Sequence, residues 1–543
     1  MKASYNSIGQ MVAEKWYDTN GSLTAHYKYV YDGQGNIVRS IDIVGRKEYN
    51  YEYEEGKLRR ATESGIGLSN EIVASKTLVN TIRYYYDAEG TLTRKVITPA
   101  NGDTQEIFYE PSEDNNTITK FSAGGRTVTS HSKTDTFGRK VFDELQLGTG
   151  FVSRQFSYHA GEVTQEHKEN AKLKSSPTTQ LVSQLAFSGG RTISYEYDGE
   201  ERITRVDDSV DGITTYTYDA LGQLETETVD DVTTKFEYDN YGNILAKGVV
   251  DETGEIADEA RITYEYDEDG PWKDLLTSYC GQPIAYDAQG NPTSYLGHTL
   301  TWEKGRQLKS FDGYTYTYNA NGIRTSKTVN GVKHTYTLDG TKILRETWGN
   351  NSIVPLYDNE DSVCGILYNK EPFYFHKNLQ GDVIAIVDRN AEVVARYTYD
   401  AWGVCTIQSD ITYCDIATIN PYRYRSYYYD EDSGLYYLQS RYYNPEIGRF
   451  INGDGAECVS IIKKLGRIKS FVGKFALGVS ILVMIASIGE KITRLGNIAK
   501  VIAECVVETV SFRTVRNGFE PFSNPQADLK IEFVQPSLSA INK

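Results

Sequence analysis

Few residues in this 543-residue chain have the types and spacing that chemistry requires. The six cysteines, Cys280, Cys364, Cys405, Cys414, Cys458 and Cys505, show no metal-ligand spacing. Cys405 and Cys414 are near enough in sequence to pair, although scattered buried thiols are the reading we favour. His376 stands alone among aromatics, which suits a hydrogen-bonded structural residue better than a catalyst. Asp528-Leu529-Lys530-Ile531-Glu532 sets two carboxylates and a lysine at a spacing loosely like a nuclease centre, but charged residues in such a strand ordinarily form a solvated face. From residue 459 onward there is no histidine, which removes most metal-independent ribonuclease and His–Cys schemes. No phosphate loop, CxxC pair or triad is present. The expectation is a non-enzymatic protein, with no catalytic residues, no metal, no cofactor and no nucleic-acid partner.

The conspicuous chemistry is instead phenolic and periodic. Tyr216-Thr217-Tyr218-Asp219-Ala220-Leu221-Gly222, Phe236-Glu237-Tyr238-Asp239-Asn240-Tyr241-Gly242 and Tyr316-Thr317-Tyr318-Asn319-Ala320-Asn321-Gly322 are copies of one phrase. Weaker copies lie at 29–35, 84–90, 195–199, 264–270, 286–290 and 397–403. A period near twenty residues signals stacked supersecondary units. Tyr-x-Tyr alternation puts both rings on one face of a strand. Asp then opens a turn by accepting backbone N–H groups, and Gly three residues on supplies a positive φ. An apolar residue two positions later (Ile37, Leu92, Leu224, Ile244) restarts the alternation. Halfway through the unit, Asp230-Asp231 and Asn330-Gly331 mark a second, tight hairpin. Each unit is therefore two strands of roughly 8 residues (about 25 Å) and two turns, in a continuous antiparallel meander. Polar stretches at 113–116, 168–179 and 251–259 read as loops.

Composition fits a wide sheet. Tyr numbers 43 against 3 Met and 13 Pro, and a phenol packs by its ring while its hydroxyl finds a partner. A packing role is favoured over an aromatic platform for sugars or bases. Residues 459–543 hold twelve Lys or Arg and six Asp or Glu, a net +6 within a total of −17, which leaves −23 on the first 458 residues. An acidic body joined to a basic tail suggests separate duties and mutual attraction, although acidity also serves solubility. Met1-Lys2-Ala3-Ser4-Tyr5 is strand-like and lacks an apolar h-region, so export is expected by another route or through a missing N-terminal portion. Opening inside the repeat without a capping element, the chain reads as a fragment of something longer.

From Phe373 the texture changes. Phe373-Tyr374-Phe375-His376 leads through Tyr397-Thr398-Tyr399-Asp400-Ala401-Trp402-Gly403 to Pro421-Tyr422-Arg423-Tyr424-Arg425, Gly434-Leu435-Tyr436-Tyr437, Arg441-Tyr442-Tyr443-Asn444-Pro445 and Gly448-Arg449-Phe450-Ile451. This run resembles the RHS-repeat-associated core of the RHS/YD-repeat family, in the family's own order; with the repeats, the resemblance covers roughly residues 1–455. It implies a repeat shell over 1–370, a repeat-associated core over 371–455 and a variable tail over 456–543. In that family the repeats spiral into a hollow, cocoon-like β-shell, as in bacterial toxin-complex C proteins and teneurins, and the shell can enclose a C-terminal toxin. The motif residues Pro421, Tyr422, Arg423, Tyr424, Arg425, Gly434, Leu435, Tyr436, Tyr437, Arg441, Tyr442, Tyr443, Pro445, Gly448, Arg449 and Phe450 are carried over as structural. The chain departs from the pattern at Asn444-Pro445, where Asp-Pro is usual, and at Asn452-Gly453-Asp454-Gly455. Self-cleaving members continue into a second Asn- and Tyr-rich stretch; here Ala456-Glu457-Cys458 turns into the tail, and Asp454 alone supplies no carboxylate pair. Autoproteolysis is not transferred.

The tail reads as mainly helical over 459–510, from apolar spacing at Ile461, Ile462, Leu465, Ile468, Phe471, Val472 and Phe475 with Lys463, Lys464, Arg467 and Lys474 beside it. Residues 475–488 are almost wholly apolar but shorter than the roughly 20 residues of a bilayer span. A buried helix, a membrane-active segment and a true span remain open, and the basic approach favours membrane contact by 459–490. The expectation for the whole is an all-β shell of an RHS-type polymorphic toxin, secreted or cell-surface associated, with its own tail as cargo and an immunity-type protein as partner. The alternatives are a surface adhesion or carbohydrate-contacting repeat protein and, for the tail alone, a membrane-permeabilising effector.

Overall fold

The computed structural model describes residues 1–452 apart from 19, 114–115, 124, 148–149, 162–177, 268–272 and 359. The described residues form 41 strands in sheets of 23, 14 and 4 strands, covering Lys2–Pro283, Ala285–Asp410 and Tyr428–Phe450. Pairing is antiparallel throughout and links strands adjacent in sequence, so the expected meander holds. Turns consequently alternate between two edges. Those opened by Asp32, Asp87, Asp219, Asp239, Asp358 and Asp400 share one edge, whereas the two-residue hairpins at Asp230-Asp231, Asn330-Gly331 and Asn369-Lys370 lie on the other.

The Asp turn forms as its sequence predicts. Asp239 Oδ1 accepts the N–H groups of Tyr241 (2.8 Å) and Asn243 (2.9 Å), its Oδ2 accepts the Asn243 amide (2.7 Å), and Gly242 adopts φ 89°. In the copy at 195–199 the positive φ belongs to Glu201 (63°) and not to Gly199, because the turn there runs Asp198–Arg202. Strands of the regular units are six or seven residues, such as Leu224–Val229 and Val232–Tyr238, shorter than expected because the Asp turn consumes five.

Each Asp turn also offsets the register at the tyrosine before it, and this creates a vacancy that the tyrosine of the following unit fills. The ladder between Leu224–Val229 and Val232–Tyr238 runs from Val229↔Val232 to Thr226↔Lys235 and stops, leaving the Leu224 carbonyl outside it. Tyr238 donates its hydroxyl to that oxygen at 2.7 Å. The same bond recurs as Tyr31→Met11, Tyr86→Leu58, Tyr158→Lys140, Tyr197→Val182, Tyr218→Ile203, Tyr266→Ile244, Tyr286→Leu276, Tyr318→Leu308, Tyr357→Ile343 and Tyr399→Val383. A ring that carries a donor is needed at this position, since a phenylalanine would leave a carbonyl unpaired; Trp302 Nε1 serves the Pro292 carbonyl in the same way (2.6 Å).

The change in texture toward Phe373 reflects burial on two faces. Ile366 and Leu367 are neighbours on one strand and so point to opposite faces, yet both are buried, in different clusters. Ile353 and Val354, Phe373 and Tyr374, and Ile386 and Val387 divide in the same way. One face meets Ile82, Ile97, Phe121 and Val152 of the 23-stranded sheet; the other meets Tyr422, Leu435, Tyr442 and Ile447. Polar ties hold the outer layer, among them Tyr84 and Lys95 on Asp339 (2.6 and 2.7 Å), Arg154 on the Lys377 carbonyl (2.7 Å) and Lys140 with Glu360 (2.6 Å). Around Phe373 the middle sheet lies between the outer sheet and an inner block, residues 416–451, which the last strands of the outer sheet also touch directly through Ile244, Tyr264 and Tyr279.

One of the expected loops is otherwise. Glu113 and Asn116 are strand residues of adjacent strands, because a hairpin this tight leaves only two residues between them. Residues 251–259 do form a turn followed by a short 3-10 helix, Asp258–Ala260, whereas most of 168–179 falls outside the described residues. The tail readings, the helix over 459–510, the carboxylates at 528–532, Cys458 and Cys505, also lie outside them. No helix among the described residues is long and apolar enough to cross a membrane.

Candidate functional site

The innermost block gathers the motif residues around one buried ion cluster. It starts at the short helix Ile416–Ile419, follows an irregular stretch and ends in the four-stranded sheet. Arg324, on the strand Arg324–Val329, is 2% exposed and presents its guanidinium to Asp430, with Nη2 at 3.0 Å from Oδ1 and Nη1 bonded to Oδ2. Lys327 Nζ reaches Asp430 Oδ1 and Asp432 Oδ2, each at 3.0 Å. The rings of Tyr437 (4.2 Å), Tyr428 (5.1 Å), Tyr336 (5.3 Å) and Tyr316 (5.5 Å) surround the Arg324 guanidinium. Burial alone would raise the Asp430 carboxyl, but Arg324 and Lys327 outweigh it and hold the group below the usual range. The cluster is thus ionised although Arg324 and Asp430 are almost wholly buried.

Three motif tyrosines hold the block to one turn. Tyr424, Tyr443 and Tyr436 donate their hydroxyls to the successive carbonyls of Ala401 (3.1 Å), Trp402 (2.8 Å) and Gly403 (3.0 Å). Gly403 has φ 93°, and a Cβ there would lie 2.5 Å from the Tyr424 ring. Trp402 packs edge-on against Phe236 of the outer sheet and covers Gly448, where a Cβ would meet the indole at 3.0 Å. Tyr437 OH accepts the Arg324 backbone N–H (2.9 Å), Tyr442 OH pairs with Tyr318 OH (2.8 Å), and Tyr428 OH donates to Glu346 (2.8 Å).

The remaining motif residues fasten neighbouring segments. Arg423 donates to the carbonyls of Ala417 (3.2 Å) and Thr418 (3.1 Å) at the end of the short helix and to Glu431 (2.5 Å). Arg425 adopts φ 51° and gives its backbone N–H to Asp382 (2.7 Å), docking the block on the Asn378–Asp382 turn. Arg449 reaches Asn243, Tyr266 and the Asp274 carbonyl at 2.8–3.1 Å. Arg441 lies over the Phe450 ring at 3.6 Å. Pro421, Tyr422, Leu435 and Pro445 are buried, and Gly434 closes the Asp430 turn at φ 70°.

Sequence reasoning did not single out Arg324, Lys327, Glu346 or His334. Asp430 was legible in Tyr427-Tyr428-Tyr429-Asp430 as one more Tyr-Asp phrase, but its partners lie about a hundred residues upstream. His376 packs on Phe187 with ring centroids 4.9 Å apart and has no hydrogen-bond partner among the described residues, a difference from the expected hydrogen-bonded role. Burial, with Arg191 and Arg154 nearby, brings its pKa down to about 4, so its ring is neutral. Cys280, Cys364, Cys405 and Cys414 are free thiols. Among the described residues no three His, Cys, Asp or Glu gather as metal ligands. The arrangement is one of clamping rather than of bond-making.

Residues 341–467 match the family model described as Teneurin YD-shell. Over that stretch the chain is similar to RHS/YD-repeat proteins. The chain is 35% identical over 249 residues to a tRNA3(Ser)-specific nuclease WapA of Bacillus spizizenii, covering 44% of this chain and 10% of the relative. It is 24% identical over 471 residues to double-stranded DNA deaminase toxin A of Burkholderia cenocepacia, covering 74% of this chain and 30% of the relative. The chain thus spans about a tenth of the length of the nuclease relatives. The crystal structures of TcdB2-TccC3-Cdc42 and TcdB2-TccC3-TEV share its fold, with TM-scores of 0.50 and 0.51 at 15% identity, over 83% and 82% of this chain and 28% and 27% of those chains.

Proposed function

We propose that this chain is the non-enzymatic encapsulating shell of an RHS-type polymorphic toxin, which encloses or presents an effector carried by residues 456–543. One observation carries the reading. The last described residues, Ile451 and Asn452, are 3% and 4% exposed, so the segment that would carry the effector begins from a buried position. The clamping chemistry of the block supports the same conclusion: its groups bind backbone and each other, and none is left poised for a reaction. A secreted or cell-surface protein with an immunity-type partner for the tail follows from this role. The repeat tyrosines spend their hydroxyls on backbone carbonyls, which weighs against an adhesive or carbohydrate-contacting platform. Limited proteolysis tests the proposal. Sites from 459 onward should be cut far more slowly in the folded protein than in the free peptide, and equal rates would overturn it.

A further inference from the structure

Beside the innermost block, toward the edge that carries the Asn330-Gly331 hairpin, a groove of about 370 Å³ opens. Val332, Trp348 and Ile419 give it an apolar lining, and the carboxylates of Glu431 and Asp432 line it too. The walls are fixed. His334 Nδ1 is 2.7 Å from Glu346 and its ring stacks on Trp348 at 4.9 Å and 10°, while Tyr428 holds the second Glu346 oxygen at 2.8 Å. Arg423 takes Glu431 Oε2 and Lys327 takes Asp432 Oδ2. The other oxygen of each carboxylate has no partner among the described residues. Counting Arg324, Lys327 and Arg423 against Asp430, Asp432, Glu431 and Glu346, the surround is acidic by one charge.

The chain leaves the described region close by. Ile451 N–H binds the Tyr442 carbonyl (2.9 Å), the Tyr442 hydroxyl is 3.5 Å from Arg324 Nη1, and Arg324 and Lys327 share Asp430. Those linking side chains are buried between the chain exit and the groove, and the eight residues 453–460 reach roughly 27 Å when extended. Residues 461–475 then follow, with Lys463, Lys464, Arg467, Lys469 and Lys474, no carboxylate, and Ile461, Leu465, Ile468 and Phe471 at helical spacing.

We propose that the groove seats residues 461–475 of the same chain, with apolar side chains over Val332 and Trp348 and basic ones against Glu431 and Asp432. This rests on the reading of residues 456–543 as cargo and gives that cargo its first anchor on the shell. An apolar lining with carboxylates complements a cationic amphipathic segment on both counts, and the short tether raises its effective concentration over that of any separate partner.

The test uses the full chain with a benzophenone side chain at Val332, which is exposed. Illumination should cross-link this position to residues 461–475 of the same molecule. E431K/D432K should abolish that cross-link and speed tryptic cleavage at Lys463 and Lys464 about fivefold or more, as expected for two exposed ion pairs lost. Cross-links between isotopically light and heavy chains would assign the groove to a second copy and overturn the proposal. A tail that stays protease-resistant without cross-linking at Val332 would overturn the anchor and leave the shell role standing. A tail digested as fast as free peptide would overturn both.

Discussion

Arg324 sits wholly inside the protein, with Asp430 on its guanidinium fork and four phenol rings around it. Removing one partner of such a pair leaves a desolvated charge, which costs about 3–5 kcal/mol. Asp430→Asn, which leaves both Arg324 and Lys327 without it, should therefore lower unfolding stability by that order in denaturant titrations, and Arg324→Met, which leaves Lys327 on Asp430, should cost less. Glu227 behaves oppositely to Asp430. Burial, with Asp400 adding repulsion, pushes its carboxyl up to about 7, although it accepts the Ala401 N–H at 3.2 Å; Lys247 is the nearby cation. A raised carboxyl keeps its proton in the folded state between about pH 4.5 and 7 while the unfolded chain has lost it. Its contribution is thus greatest below pH 4.5 and declines as pH rises toward 7, by on the order of 3 kcal/mol at most. Glu227→Gln should flatten that part of the stability–pH profile measured by denaturant midpoints; an unchanged slope would mean that Glu227 ionises normally. Nothing in the sequence marks Arg324 or Glu227, because both depend on partners far along the chain.

The repeat element was the most legible level. Side-chain alternation has a period of two, so Tyr-x-Tyr followed by an Asp turn dictates strand, face and bend locally. Less legible was the purpose of the second tyrosine. Its acceptor, as with Leu224 for Tyr238, becomes vacant only once the ladder has stopped short. Tyr238→Phe keeps the ring and strands that carbonyl, so a loss of about 1 kcal/mol is expected in equilibrium unfolding; no loss would mean that water or a shift in register replaces the hydroxyl. Glycines separate by surroundings as well as by φ. Gly331 has φ 80° with nothing within 4 Å, while Gly403 has φ 93° and faces Tyr424. Gly331→Ala should cost about 1 kcal/mol of backbone strain, and Gly403→Ala clearly more, read as a larger fall in melting temperature.

At the scale of the whole molecule, repetition along the sequence becomes layering in space. The near-continuous apolar strands Val363–Tyr368 and Val383–Val387 announced burial on both faces, since a half-exposed strand would alternate. Which segments cover them was not written locally: Ile82, Phe121 and Val152 on one side and Leu435, Tyr442 and Ile447 on the other are distant in sequence. The order of layers around Phe373, outer sheet, middle sheet and inner block, is what the proposed shell role rests on. Native-state hydrogen exchange followed by mass spectrometry tests that order most directly. The account predicts that amides of Val363–Tyr368, Glu371–Lys377 and Val383–Val387 exchange slowest, and that Leu435–Leu438 and Arg441–Asn444 are protected with them. Rapid exchange across Leu435–Asn444 beside a protected middle sheet would place the block outside the shell and contradict the account.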